Sequence, residues 1–188
     1  MATRGECRNE DMILMECEQD QTHCLSMTLL TTLTSPTLSY TAKSCAKAME
    51  CNDGVYGVTS TQGKYSQMSL FCCQSEGCNA LPLPLPLREE LKPNGLVCPG
   101  SYTRLGNSLQ SAQPTLCLGQ ETRCVNVNFT MNTFGAMHEE GYLKGCSTPS
   151  VCSFPDGETR MANNLVVLHT MKECNTVPLS LDRAFLPM

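Results

Sequence analysis

The chain has 188 residues, a formal net charge of −5, 14 cysteines, no tryptophan and 5% aromatic residues. It carries no clustered Lys/Arg run, which excludes the usual basis of nucleic-acid binding. Low aromatic content argues against one large core, and the even, high cysteine count points to a disulfide scaffold in an oxidising compartment.

No CxxC or HExxH motif occurs, and His23, His138 and His169 lie far apart in sequence, so no metal site or other cofactor is expected. Residues 1–8 hold no apolar leader, residues 179–188 no hydrophobic anchor tail, and no stretch is long enough to span a membrane. Secretion is nevertheless expected from the cysteines, with the leader absent from this chain.

In chain order, the pattern is that of strands. Residues 25–33, 38–45 and 65–72 are strand candidates in the first half. Residues 124–131, 140–146 and 165–174 follow in the second, of which 124–131 alternates apolar and polar most regularly. Ser35-Pro36, residues 52–54, Gln62-Gly63 and residues 155–157 read as breakers. No stretch holds a sustained helical period. Residues 81–87 alternate Leu and Pro, which blocks both helix and central strand and predicts an extended, semi-rigid spacer without PxxP spacing.

The stretch Phe71-Cys-Cys-Gln-Ser-Glu-Gly-Cys-Asn79 is the most specific signal. Adjacent cysteines on a strand face opposite sides, so Cys72 and Cys73 must bridge in different directions. Cys73 can reach Cys78 across a short loop that Gly77 allows to turn, and Cys72 must tie back to an earlier strand. The Asn79 amide can bond backbone groups nearby. The competing reading is a Cys-rich metal knuckle.

The cysteines also repeat. Cys17, Cys24, Cys45, Cys51 and Cys72 correspond to Cys117, Cys124, Cys146, Cys152 and Cys174 at offsets of 100 to 102 residues. Five consecutive matches predict two homologous domains, each too small to rest on core burial alone. Asn128-Phe129-Thr130 is the single N-glycosylation acceptor, with Asn128 on the polar face of its strand.

These residues resemble a known family. The closing stretch at 71–79 is similar to that of the urokinase-receptor/lymphocyte-antigen (LU) three-finger domain. The tandem arrangement resembles the gamma-type phospholipase A2 inhibitors and their mammalian LU-domain relatives. Residues 93–100, 117–124 and 144–146 carry the likeness further.

The resemblance implies an all-β, disulfide-rich fold of two snake-toxin-like three-finger LU domains. The expected units are domain 1 at 1–80, a Pro/Leu linker at 81–94, domain 2 at 95–178 and a tail at 179–188. The implied bridges are Cys17–Cys45, Cys51–Cys72, Cys73–Cys78, Cys98–Cys124, Cys117–Cys146 and Cys152–Cys174. The second domain departs from the pattern in lacking the cysteine doublet and closing bridge. The first lacks the cysteines that open the first finger. Cys7 and Cys24 are therefore expected to be unpaired or to form a substitute bridge, in a domain truncated by its first strand.

The implied function is a secreted, non-enzymatic binding protein with a protein partner, a phospholipase A2 inhibitor by resemblance. The alternative is a soluble receptor or adhesion-type module that binds a cell-surface protein. No GxSxG, P-loop or metal motif supports an enzyme. Candidate contact tips are residues 31–37, 52–63, 132–139 and 154–164, with Tyr56, Phe134 and Phe154 as aromatic anchors or, alternatively, hub packing. Arg160 and the pair Glu139-Glu140 read as binding tips or a solvated rim.

Overall fold

Residues that pack one face and wet the other build a sheet rather than a bundle. The computed structural model describes residues 2–3, 15–108, 110–133, 137–161, 166–175 and 179–180. The strands are β1 (Ala2–Thr3), β2 (His23–Thr31), β3 (Leu38–Ala46), β4 (Gly54–Thr59), β5 (Tyr65–Cys73), β6 (Pro93–Arg104) and β7 (Gln113–Leu118). They continue with β8 (Arg123–Thr133), β9 (Met137–Ser147), β10 (Gly157–Met161), β11 (Val166–Asn175) and β12 (Leu179–Ser180). A single turn of helix, α1 (Pro149–Ser153), and two 3-10 turns, Ala48–Glu50 and Arg88–Glu90, complete the described elements.

The two halves repeat one strand order. The first runs β3-β2-β5-β4 and the second β9-β8-β11-β10, all antiparallel. The six strand candidates from sequence match β2, β3, β5, β8, β9 and β11 within a few residues. Four longer strands were not apparent there. β4 and β10 begin at Gly54 and Gly157, which read as breakers. β6 carries Pro93 and Pro99, and Pro99 pairs with Pro114 of β7, where no ladder N–H is required of either. Residues 52–63 and 154–164, expected as tips, therefore contain the strands β4 and β10.

Alternation places Leu25, Met27 and Leu29 of β2 inside, with Met68 and Leu70 of β5 beside them. From the second half, Val125, Val127, Phe129, Met131 and Leu143 join the same apolar cluster. The core is thus shared by both halves. A second cluster consists of Cys98, Cys117, Cys124 and Cys146.

The opposite face of β2 and β5 carries polar side chains that are buried all the same. The Leu/Pro segment lies across them. Thr28 Oγ1 donates to Leu83 O (2.7 Å), Ser69 Oγ to Pro84 O (3.3 Å) and Gln67 Nε2 to Pro86 O (3.4 Å). Asn79 Nδ2 donates to Leu25 O at 2.9 Å, just before this segment starts. The segment is therefore not a free spacer. Proline at every second position removes the N–H groups that a strand ladder needs, and the segment's carbonyls take donors from side chains instead.

The halves join through β9. One side of β9 pairs with β8 along its length. The other side is divided: Gly141 to Lys144 face β6, and Cys146 and Ser147 face Thr59 and Val58 of β4. Gly145 sits at the handover, where a Cβ would stand 1.9 Å from Thr59 O. Gly145→Ala must push backbone apart, and we expect it to lower stability by about 3 kcal/mol. Gly57→Ala, in the same joint, would meet the Thr148 methyl at 3.3 Å and Glu121 Oε1 at 3.8 Å, both side-chain atoms, and should cost less than ~1 kcal/mol. Denaturant unfolding of both variants checks this; equal losses would show that the handover does not limit the joint.

Candidate functional site

The contact between the halves begins with backbone. Gly57 N donates to Thr148 Oγ1 at 3.0 Å, and Thr148 N donates to Gly57 O at 2.9 Å. Ser60 Oγ reaches the carbonyls of Ser101 (2.9 Å) and Lys144 (2.7 Å), and Tyr102 OH donates to Leu33 O (2.7 Å). Lys64 places its ammonium 5.1 Å from the centre of the Tyr102 ring.

Glu121 is the charged group at this joint, and only 3% of it is exposed. Its carboxylate accepts from Thr59 Oγ1 of the other half and from Leu118 N at 2.9 Å. Arg88 Nη1 stands 3.8 Å away, and the guanidinium stacks 4.6 Å over the Tyr65 ring. Burial pushes the Glu121 carboxyl above its ordinary value, opposed by these bonds and by Arg88. The same loss of solvent pulls the Arg88 guanidinium down, with Glu121 opposing.

Beside the joint lies an apolar cavity of about 120 Å³. Leu29, Tyr56 and Met68 wall it from the first half, and Val127, Leu143 and Phe154 from the second. Tyr56 and Phe154 meet edge to face, with centroids 5.2 Å apart and planes at 82°. Both are buried, at 8% and 7% exposure, and Tyr56 OH donates to Asn52 O at 2.5 Å. As exposed contact tips they are corrected: each packs between the halves, because a large ring gains more from the shared core than from solvent. At the cavity wall the Lys172 ammonium, in a side chain 7% exposed, bonds Phe154 O and Asp156 Oδ1 (2.8 Å). The bond from Lys172 holds the Asp156 carboxyl below its ordinary value.

Phe134 and the Arg160 side chain lie outside the described residues. Glu139 is not a solvated rim: it is 4% exposed and forks onto Arg104, with Nε to Oε2 at 2.7 Å. Its neighbour Glu140 accepts from His138 Nε2 at 2.9 Å, while His138 Nδ1 meets Asn132 Oδ1 at 2.6 Å. The turn after Arg104 is fixed by Leu105 N to Glu140 O (2.9 Å) and Asn107 N to Arg104 O (3.1 Å). It carries Leu105, which is 72% exposed. Arg104, Leu105, His138 and Glu140 thus form a rigid polar end with one apolar point, a grouping that no local sequence pattern announces.

Six disulfides close the hubs: Cys17–Cys45, Cys51–Cys72, Cys73–Cys78, Cys98–Cys124, Cys117–Cys146 and Cys152–Cys174. The sulfurs of Cys98, Cys117 and Cys146 lie within 4.8 Å of one another, but all three are spent in bridges. Cys24 carries no disulfide, and Cys7 lies outside the described residues. Asn128 projects from β8 and is exposed.

No family model matches the chain. It is similar to a phospholipase A2 inhibitor of Trimerodytes annularis, the gamma-type form A1, with 26% identity over 170 residues, covering 88% of this chain and 90% of that protein. The chain is homologous to the gamma-type phospholipase A2 inhibitors. The gamma-type inhibitor of Gloydius brevicaudus siniticus is 29% identical over 138 residues, and protein RoBo-1 of Rattus norvegicus 33% over 106. The matches cover 70% and 54% of this chain, and 64% and 37% of those two proteins, less than two thirds of either. The crystal structure of mouse TEX101 aligns over 89% of this chain and 86% of that one at 19% identity, with a TM-score of 0.34, a likeness too loose to argue from. The described residues form an all-β, disulfide-rich structure with one short helical turn, and no described helix is long and apolar enough to cross a membrane.

The buried Glu121 carboxylate predicts a pH dependence. Glu121 has a raised folded value, so the folded state holds more protons than the unfolded state just above the ordinary glutamate range. Stability therefore falls as pH rises through that window, and the loss is complete above the raised value. Glu121→Gln can keep both bonds, its amide oxygen accepting from Leu118 N and its amide nitrogen donating to Thr59. We expect the variant's stability to be flatter between about pH 4 and 7. Urea unfolding across that range tests it; an unchanged slope would mean that Glu121 does not titrate there.

Proposed function

We propose that this chain is a secreted, non-enzymatic binding protein, built of two LU units, that engages a secreted phospholipase A2 and inhibits it. The observation that carries this reading is homology to a gamma-type inhibitor over 88% of the chain. The net charge of −5 suits a basic partner. Tyr56 and Phe154 are unavailable for contact, so the proposed contact end is the rigid one at Arg104, Leu105, His138 and Glu140. Rigid placement lowers the ordering cost of binding.

Hydrolysis of phospholipid vesicles by several basic and acidic secreted phospholipases, with and without micromolar protein, tests the reading. Inhibition is expected, strongest for basic enzymes and weakened by salt. Leu105→Asp should reduce inhibition at least ~10-fold with the melting temperature unchanged. No inhibition of any isoform would overturn the proposal, and cell binding that survives phospholipase depletion would support the soluble receptor or adhesion reading.

Asn128 is the proposed glycan site: it is exposed on β8, with Tyr142 and Met171 as cross-strand neighbours. Protein secreted from mammalian cells should lose mass on enzymatic deglycosylation, and Asn128→Gln should abolish the change. A wild-type mass equal to that of the bare chain would refute it.

A further inference from the structure

The cavity between the halves takes no part in the proposed contact with phospholipase. We propose that it binds a small neutral hydrocarbon group about the size of a benzene ring. Three observations support this. The first is size: the space is about 120 Å³ and partly open at its mouth, and an apolar protein cavity of ~150 Å³ takes up benzene.

The second is chemistry. Four polar side chains stand at its wall, Tyr56, Ser66, Thr170 and Lys172, and three of them are engaged elsewhere, which leaves fewer than the two partners that a water needs. The Tyr56 hydroxyl donates to Asn52 O, the Lys172 ammonium bonds Phe154 O and Asp156, and the Thr170 hydroxyl donates to Pro155 O at 3.5 Å. Water needs two to four polar partners to settle in a cavity, and an anionic head would find no free cation among the described residues here. A hydrocarbon loses nothing in such a site and gains contacts that an empty one lacks.

The third is position. Leu29 and Met68 face Val127, Phe129 and Leu143 from the other half, so an occupant touches both and favours their packed arrangement. The same chemistry has two sources. One is a free small hydrocarbon; the other is the methyl end of a single alkyl chain whose head stays in solvent.

The test uses the full chain with its disulfides intact. Benzene is one probe and a twelve-carbon lysophosphatidylcholine, kept below its micelle concentration, the other. Binding is read from the methyl resonances of Leu29, Val127 and Leu143 and from thermal unfolding. At ten times its Kd, benzene should raise the melting temperature by about 3–5 °C. Val151→Phe narrows the cavity and should weaken benzene at least ~10-fold. Should that variant misfold, Met131→Ala enlarges the space instead and should shift preference from benzene to naphthalene. Benzene alone perturbing these methyls supports a free hydrocarbon as occupant; the lysolipid doing so at lower concentration supports a chain end. Neither probe moving the methyls, or both substitutions leaving affinity and size preference unchanged, would overturn the proposal.

Discussion

The structure depends on how β9 shares one of its edges. That edge passes from β6 to β4 within a few residues, and only a residue without a Cβ can stand at the handover, because Thr59 O would lie 1.9 Å from it. With the register fixed there, Gly57 meets Thr148, and Thr59 meets the Glu121 carboxylate. These contacts then bring the inner faces of the two halves to a distance at which their side chains form one core. A polar strip and an apolar patch thus divide the labour. Backbone bonds and buried hydroxyls set the register, and burial of Leu, Met, Val and Phe side chains supplies most of the stabilisation.

Each half alone has too small a core for independent stability, and two devices offset that. The disulfides close loops of 21 to 29 residues in both halves, besides the five-residue separation of Cys73 and Cys78. Such loops restrict the unfolded chain. The Leu/Pro segment is the second device. A strand with every N–H present would compete for partners with the sheet, whereas a segment with proline at every second position has few N–H groups to place and leaves its carbonyls free to accept. Ser69, Thr28 and Gln67 can therefore lie beneath the segment with their donors satisfied.

Sequence revealed the features that are local and periodic. β8 was legible because Val125, Val127, Phe129 and Met131 face the core while Asn128 faces solvent. The cysteine repeat was legible because equivalent strands carry equivalent positions. β4 and β10 were hidden because a glycine at the head of a strand looks like a turn. The joint was hidden for a different reason. It pairs residues about 90 apart, such as Val58 with Ser147, and nothing in either stretch marks the other as its partner. A separation of 35 residues hid the Arg104–Glu139 fork as well, since Glu139 beside Glu140 looks like two solvated charges.

The burial of Tyr56 and Phe154 changes where recognition can lie. An aromatic ring serves as a binding anchor only if its surface is free when the partner arrives. These rings pack on each other and line the cavity, so exposing them would cost a contact that joins the halves. The described surface keeps its freedom at the other end of β9, where Glu139 is neutralised by Arg104 and Glu140 is aimed by His138. There the charges are already oriented and one leucine stands clear of them. The proposed contact end and the cohesive joint thus lie at opposite ends of one strand. Packing that holds the halves together does not have to loosen when that outer end meets a partner.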